Sequence, residues 1–300
     1  MTAPDWIAVD WGTSSVRAWA MGQGATPLAM ARADCGMGAL ASADFEPALL
    51  DLIGDWLGPG RTLIVACGML GARQGWAEAP YRPVPCKPLD DAPIRAAASD
   101  PRVDLRILPG LSQSRPADVM RGEETQISGF LALQPSFDGV LCLPGTHTKW
   151  AQISAGEVVS FRSFMTGELF ATLAAKTVLR HSMGEGWDAA SFDEAVFDAL
   201  SKPEQLAGRL FALRAEDLLH GLSPGAARAR LSGLLIGAEL AATRPYWLGQ
   251  NVAVIGDDVA ETTYLAALKA QGIAPAFANA ADATLAGLSA ARTNLEARVQ

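Results

Sequence analysis

The reading of this chain turns on Trp6-Ile7-Ala8-Val9, Asp10-Trp11-Gly12-Thr13-Ser14-Ser15 and Val16-Arg17-Ala18-Trp19-Ala20. An apolar run, a short polar turn and an alternating run predict strand, tight turn, strand. One carboxylate, Asp10, arrives at the end of a buried strand. A glycine and three hydroxyl residues follow, and such a turn leaves several backbone N–H groups free to point at one spot. That arrangement suits a phosphate and its metal ion. The plainer alternative is a β-hairpin whose Gly-Thr-Ser-Ser serves turn chemistry alone.

Working outward, the pattern returns near residue 138. Val140-Leu141-Cys142-Leu143 is an apolar strand, Pro144-Gly145-Thr146-His147-Thr148 a glycine–hydroxyl turn, and Lys149-Trp150-Ala151-Gln152-Ile153 the returning strand. Gly12-Thr13 aligns with Gly145-Thr146, and Ser15 with Thr148. This predicts an internal duplication of a whole domain.

Between the two turns, Leu28 to Ala33 predicts a third strand and Asp44 to Leu57 a helix with one apolar face. Leu63-Ile64-Val65-Ala66-Cys67 and Val103 to Leu108 predict strands, the former buried on both faces. Gly36-Met37-Gly38-Ala39-Leu40-Ala41 matches a dinucleotide fingerprint, but no strong apolar strand precedes it, and a loop is expected there instead. Gly68-Met69-Leu70-Gly71-Ala72-Arg73-Gln74-Gly75-Trp76 and the Pro-rich Ala79 to Pro85 follow a buried strand. They read equally as a polar small-molecule pocket or a surface loop. Glu123 and Glu124 open a predicted helix, where carboxylates favour the macrodipole.

In the second half, Val158 to Phe164 predicts a strand and Gly167 to Leu222 a largely helical insertion. Leu231 to Leu240 is a helix with small residues spaced for close packing. Val252 to Asp258 reads as strand then turn, Val259 to Ala270 as helix, Ile273 to Phe277 as strand, and Ala281 to about Ala297 as a last helix. Alternating strands and helices place the chain in the α/β class. Two domains are expected, 1–134 and 135–300, with the last helix free to pack back on the first.

The 300 residues carry a formal net charge of −8, which argues against a nucleic-acid or anionic-membrane partner, since both need a basic footprint. Cys35, Cys67, Cys86 and Cys142 form no C-x-x-C pair, so neither a zinc site nor a disulfide framework is expected. No basic region followed by a long apolar stretch precedes the first strand, and no segment approaches the roughly 18 apolar residues of a membrane span. A cytoplasmic protein is expected, and a homodimer is compatible with the sequence.

Taken together, the motifs resemble the sugar kinase, heat-shock protein and actin superfamily. Its members have two ribonuclease-H-like domains with ATP between them. The first phosphate motif would be Asp10 to Arg17, the second Pro144 to Trp150, and the adenosine motif Val254-Ile255-Gly256-Asp257-Asp258. Asp257 and Asp258 stand where many members carry a glycine and small residues. More narrowly, Val9 to Arg17, Gly68 to Trp76, Arg121-Gly122-Glu123-Glu124-Thr125-Gln126 and Leu143 to Trp150 are similar to the 2-dehydro-3-deoxygalactonokinases, in order and at comparable spacing.

The resemblance implies transfer of the γ-phosphoryl group of ATP, with Mg2+, to the 6-hydroxyl of 2-dehydro-3-deoxy-D-galactonate. Another 2-keto-3-deoxy sugar acid, or hydrolysis of a polyphosphate, remains the alternative. Asp10 would serve the magnesium ion through waters. Gly12, Thr13, Ser14 and Ser15 would hold the γ-phosphate, and Gly145, Thr146, His147 and Thr148 the β-phosphate, with Lys149 and Gly256 also on the nucleotide. Glu124 matches the position of a glutamate that works on the nucleophile in exopolyphosphatases, and Asp10 competes with it as base. The sugar acid's carboxylate calls for a guanidinium. Arg73 and Arg82 are candidates beside Gln74 and Trp76, and Arg162 is the candidate from the second domain.

Overall fold

Trp6–Trp11 (β1) is buried along its whole length except at Asp10, because its two faces are covered by different elements. Ile7, Val9 and Trp11 face Phe45, Leu49 and Ile53, whereas Trp6 and Ala8 lie in a second cluster with Leu288 and Ala291. Each fully buried aliphatic side chain of this kind stabilises the fold by about 2 kcal/mol. The computed structural model describes residues 4–23, 26–90 and 92–299.

Val16–Met21 (β2) runs antiparallel to β1 with Asp10 opposite Arg17, and Pro27–Ala33 (β3) is the outer strand. Phe45–Ile53 (α1) is shorter than the periodicity predicts: from Gly54 the chain tightens into a single 3-10 turn to Trp56. Thr62–Gly68 (β4) is parallel to β1. Next come Tyr81–Pro83 (β5), Ile94–Arg95 (β6), Val103–Ile107 (β7), Gly110–Ser114 (β8), Ala117–Met120 (β9) and the helix Glu123–Leu133 (α2). The main sheet has the order β3-β2-β1-β4-β7-β6. Strands β5, β8 and β9 form a separate small sheet where the sequence predicts loop, since two short strands flanked by prolines carry too little alternation to be read.

The second half contains Gly139–Leu143 (β10), Thr148–Ser154 (β11), Glu157–Phe164 (β12), Thr166–Lys176 (α3), Ala189–Ser201 (α4), Leu206–His220 (α5), Pro224–Ala242 (α6) and Arg244–Trp247 (α7). Val252–Gly256 (β13) leads into Asp258–Ala260 (α8), a π-helical turn Glu261–Leu265, and Ala266–Ala270 (α9). Ala276–Asn279 (β14) starts later than Ile273, and Ala280–Val299 (α10) ends the described chain. The sheet order is β12-β11-β10-β13-β14, the same permutation as β3-β2-β1-β4-β7. In both sheets the first strand pairs in parallel with the fourth. The duplicated turn is thus part of a duplicated ribonuclease-H-like topology.

Contacts divide the chain into two compact units, Met1–Phe137 with Ile153–Ser160 and Ala280–Gln300, and Asp138–Gln152 with Phe161–Asn279. In the first unit α10 packs on α2, with Gly129 set directly against the Ala283 carbonyl, so that no side chain fits there. In the second unit Gly233 and Gly237 bring α6 against α4. Among the described residues no helix is long and apolar enough to cross a membrane.

Candidate active site

The β1–β2 turn of the first unit is closed by the Gly12 N–H donating to the Ser15 carbonyl at 2.8 Å. The segment 36–38 lies over it: the N–H groups of Met37 and Gly38 donate to the carbonyls of Gly12 and Thr13 at 3.1 and 3.0 Å. A side chain at Gly36 would stand 2.3 Å from the Thr13 carbonyl, so the glycines of the fingerprint-like stretch serve a close approach of two backbones. With its carbonyls engaged, the turn exposes Thr13 and Ser14 at its tip. Among the described residues nothing accepts from the N–H groups of Thr13, Ser14 or Ser15. The result is a set of donors aimed outward, the arrangement an anion needs.

Asp10 ends in the same place. Its Oδ2 accepts from Arg17 Nη2 at 2.5 Å, across the antiparallel register, and its Oδ1 lies 3.7 Å from Cys67 Sγ on β4. Gly68, at a positive φ of 90°, carries β4 close to the Trp11 carbonyl. Gly122, at φ 108°, then turns the chain into α2 beside Gly68. Two left-handed glycines therefore bring the ends of β1 and β4 and the start of α2 together.

Glu124 sits in that first turn with no exposed surface. Both its oxygens accept from the Gly122 N–H, at 2.9 and 2.7 Å, and Thr125 Oγ1 donates to Oε1 at 3.2 Å. Burial, and then the neighbouring Glu123, push its carboxyl up to about 8. Burial raises the Cys67 thiol as well, with Asp10 and Glu124 adding to it. Asp10, Cys67 and Glu124 thus form one electrostatic group.

The expected sugar-acid residues have separate partners within the first unit, and Arg162 belongs to the second. Arg73 is exposed and pairs with Glu78 at 3.5 Å, and Gln74 is exposed. Trp76 packs on the first core and donates Nε1 to the Ala97 carbonyl at 3.0 Å. Arg82 donates Nη2 to the carbonyls of Lys87 and Pro88. Arg162 is exposed on β12, in the second unit. The buried guanidinium here is Arg121, stacked on the Tyr81 ring at 4.2 Å and donating Nη2 to the Ala79 carbonyl at 2.7 Å. It ties the start of α2 to the strand that follows the glycine-rich segment.

In the second unit the β10–β11 turn repeats the construction with different clamps. Glu168 N–H, in the first turn of α3, donates to the Thr146 carbonyl at 2.9 Å, and Lys149 Nζ donates to the His147 carbonyl at 3.1 Å. A side chain at Gly167 would stand 2.3 Å from the Gly145 carbonyl. His147 Nε2 lies 2.5 Å from Glu168 Oε2, which gives the ring a hydrogen-bond partner outside the turn. Gly145, Thr146 and His147 are exposed, and among the described residues their N–H groups are unpaired. Thr148 and Lys149 are buried.

A cavity of about 270 Å³ opens beside this turn, lined by Gly145, Gly167, Phe170, Trp187, Arg228 and Tyr264 among others. Asp257 lines it too, with Oδ1 accepting from the Ala260 N–H at 3.0 Å, and Gly256 ends β13 beneath α8. The walls are mostly apolar with a few polar groups, the composition of a small-molecule site. Sequence periodicity does not find this cavity, because its aromatic walls come from three separate segments: α3, the loop before α4 and the π-helical turn. One signal was legible: Glu239 is the lone charge in the apolar stretch Leu231 to Ala242. It lies buried behind the cavity wall, accepting from Trp150 Nε1 at 2.7 Å.

Among the described residues no cluster of three acidic, histidine or cysteine side chains could enclose a metal. Magnesium does not need one: it keeps several waters and commonly takes one or two carboxylates plus substrate phosphates. Asp10, alone beside a donor-rich turn, fits that pattern.

The family model for 2-keto-3-deoxy-galactonokinases matches residues 10–291. The Rhizobium meliloti protein DgoK1, assigned as a 2-dehydro-3-deoxygalactonokinase, is 41% identical over 297 residues, covering 97% of each chain. The Escherichia coli 2-dehydro-3-deoxygalactonokinase is 34% identical, covering 89% of this chain and 90% of its own. A crystal structure of a Sinorhizobium meliloti protein of the same assignment superposes with a TM-score of 0.89 at 39% identity, covering 96% of each chain. The ADPNP-bound activator of 2-hydroxyisocaproyl-CoA dehydratase from Clostridium difficile shares the fold, with a TM-score of 0.53 at 11% identity and 97% of each chain covered. By sequence, topology and the two donor turns, this chain belongs to the 2-keto-3-deoxy-galactonokinase family.

Proposed function

We propose that this chain is a cytoplasmic ATP-dependent kinase that phosphorylates 2-dehydro-3-deoxy-D-galactonate at its 6-hydroxyl, giving the 6-phosphate and ADP in galactonate catabolism. The observation that carries this reading is the pair of turns, each with its carbonyls clamped and its amides free. Phosphoryl transfer asks a protein mainly for positioning and charge neutralisation, and amide nests supply both. The amides of Thr13, Ser14 and Ser15 hold the γ-phosphate, and those of Gly145, Thr146 and His147 the β-phosphate. The adenosine occupies the cavity of the second unit, with Trp187 and Phe170 as apolar walls and Asp257, the residue after Gly256, on its lining.

Asp10 would hold a magnesium ion, whose charge would offset that of the phosphate oxygens. In the reaction the acceptor hydroxyl oxygen bonds to the γ-phosphorus, the bond from that phosphorus to the β–γ bridging oxygen breaks, and ADP leaves with the electron pair. Glu124 takes the hydroxyl proton. Only the carboxylate form can accept that proton, so with Glu124 raised to about 8 turnover should increase as pH rises toward that value; Glu124 and Asp10 both act on the Cys67 thiol between them. Both of its oxygens accept from the Gly122 N–H, so the reading requires one of them to turn toward the hydroxyl. For the sugar acid's carboxylate, Arg73 and Arg162 have exposed guanidinium groups, whereas Arg82 already donates to two carbonyls.

A coupled assay of ADP formation across 2-keto-3-deoxy acids and simple hexoses tests the function. Turnover strictly dependent on the galactonate-derived acid is expected. Fast turnover with glucose and none with keto acids would overturn the substrate. ADP release without any acceptor would place a hydrolase on this fold.

A further inference from the structure

Glu239 takes no part in the mechanism above, yet its carboxylate collects three donors from three different elements. Oε1 accepts from Trp150 Nε1 on β11 at 2.7 Å. Oε2 accepts from Thr166 Oγ1, at the start of α3, and from the Tyr264 hydroxyl, in the π-helical turn, at 2.9 Å. A phenol has one proton, so Tyr264, by donating to Glu239, must accept from its other neighbour. That neighbour is Thr148 Oγ1, at 2.8 Å, the residue that ends the β10–β11 turn. The direction of the whole chain follows: Thr148 donates to Tyr264, and Tyr264 donates to Glu239.

We propose that Glu239 is a positioning residue for the nucleotide, a buried anion that locks the phosphate-binding β10–β11 turn to the wall of the adenosine cavity through Tyr264 and Thr166. Both of these residues line that cavity together with Gly145. The inference rests on the reading that ATP occupies the second unit. A carboxylate is required because only an acceptor-only group satisfies all three donors at once. A carboxylic acid or an amide must spend one position donating, which reverses or breaks a link.

The surroundings make the charge state consequential. Burial pushes the Glu239 carboxyl up to about 7, although Thr166, Trp150 and Tyr264 oppose the rise by donating to it. The titratable groups facing it are Tyr264 and Cys142, on β10, and burial holds both in their neutral forms well above the neutral range. Glu239 is therefore the group in this network whose charge changes near neutrality. Protonation at acidic pH removes one link and loosens the turn, so this network favours nucleotide binding above pH 7.

Calorimetric titration of MgATP into the wild type, Glu239→Gln and Tyr264→Phe, at pH 6 and 8.5, tests this without requiring turnover. At pH 8.5 Glu239→Gln is expected to weaken binding about tenfold, the scale of losing one charge-assisted link. It should also bind with a smaller difference between the two pH values than the wild type. Tyr264→Phe keeps the ring and removes the link to Thr148, and should weaken ATP about threefold or more. In steady-state assays the KM for the sugar acid should stay within about twofold in both variants, since every group of this network belongs to the second unit, to which the reading assigns the nucleotide.

A folded Glu239→Gln, with unchanged near-ultraviolet circular dichroism, that binds ATP as the wild type does overturns the proposal. So does an equal rise of both Michaelis constants. Should Glu239→Gln fail to fold, Tyr264→Phe decides: wild-type affinity with a wild-type pH difference overturns the role. A wild type that does not bind ATP at either pH overturns the nucleotide reading, and this inference falls with it.

Discussion

The two hairpin turns are built alike and equipped differently. Each ends the central strand of a sheet with the same strand order, and each has carbonyls pinned from one side and amides left free. Aligned on Gly12 and Gly145, Asp10 corresponds to Leu143, and Arg17 to Trp150. The first turn therefore carries a carboxylate held by a guanidinium at its edge, whereas the second carries an apolar residue there and an indole that donates to a buried glutamate. Shared topology supplies the donors, and the chemistry lies in the residues just outside the turn. On the proposed function, the first turn manages reacting charge and the second holds the nucleotide still.

Breaking the first turn's distinctive residue gives the largest effect. Asp10→Asn should reduce kcat by about a thousandfold or more while calorimetry still detects ATP, because the carboxylate meets the reacting phosphate and not the base or ribose. Loss of ATP binding in that variant would erase the contrast between the turns. Glu124→Gln should lower kcat about a hundredfold, the low end for a base, since the loose transition state asks little of one. Wild-type turnover in Glu124→Gln would return the proton to Asp10.

The clamps give a sharper, smaller test. Gly36→Ala and Gly167→Ala each drive a methyl to 2.3 Å of a turn carbonyl, in the first and second turn respectively. Displacing a turn by a fraction of an ångström should cost roughly tenfold. Gly36→Ala should spend this mostly in kcat, and Gly167→Ala mostly in the KM for ATP. The same kinetic pattern in both would mean that the two turns share one role.

The smallest effect is on stability. Glu124 has its folded value raised from an ordinary 4.5 to about 8, so its contribution is intact below pH 4.5 and is lost as pH rises through 8. Glu239, raised from 4.5 to about 7, acts in the same sense in the second unit. Thermal unfolding temperature should fall from pH 5 to 9 by a few degrees, on the order of what 1 kcal/mol per group produces. Glu124→Gln should flatten part of that slope. An unchanged slope would mean that the carboxyl is not buried in solution.

The turns were legible because everything they need is local: glycine, hydroxyl residues and flanking apolar runs within about a dozen positions. The individual strands followed from the same alternation, whereas their order in the sheets rests on parallel pairings between distant segments that alternation does not encode. Glu124 was legible as a residue but not as a buried one, since its enclosure depends on α10 seating α2 from more than 150 positions away. The adenosine cavity was invisible for the same reason, drawing Phe170, Trp187, Arg228 and Tyr264 from separate segments. The arginine placements show the limit most plainly. Residue type suggested a guanidinium for a carboxylate, but which of Arg73, Arg82 and Arg162 remains unpaired is a matter of loop packing that spacing does not encode.

The last helix carries a consequence for how the molecule comes into being. Leu288 and Ala291 of α10 cover the face of β1 that holds Trp6 and Ala8, so the first strands to leave the ribosome wait for this helix before that face is closed. The residues of the second unit, 138–152 and 161–279, all precede α10 and can form their core while that face is still open. During synthesis, the core around β10 and β13 can therefore close before the face of β1 that α10 covers.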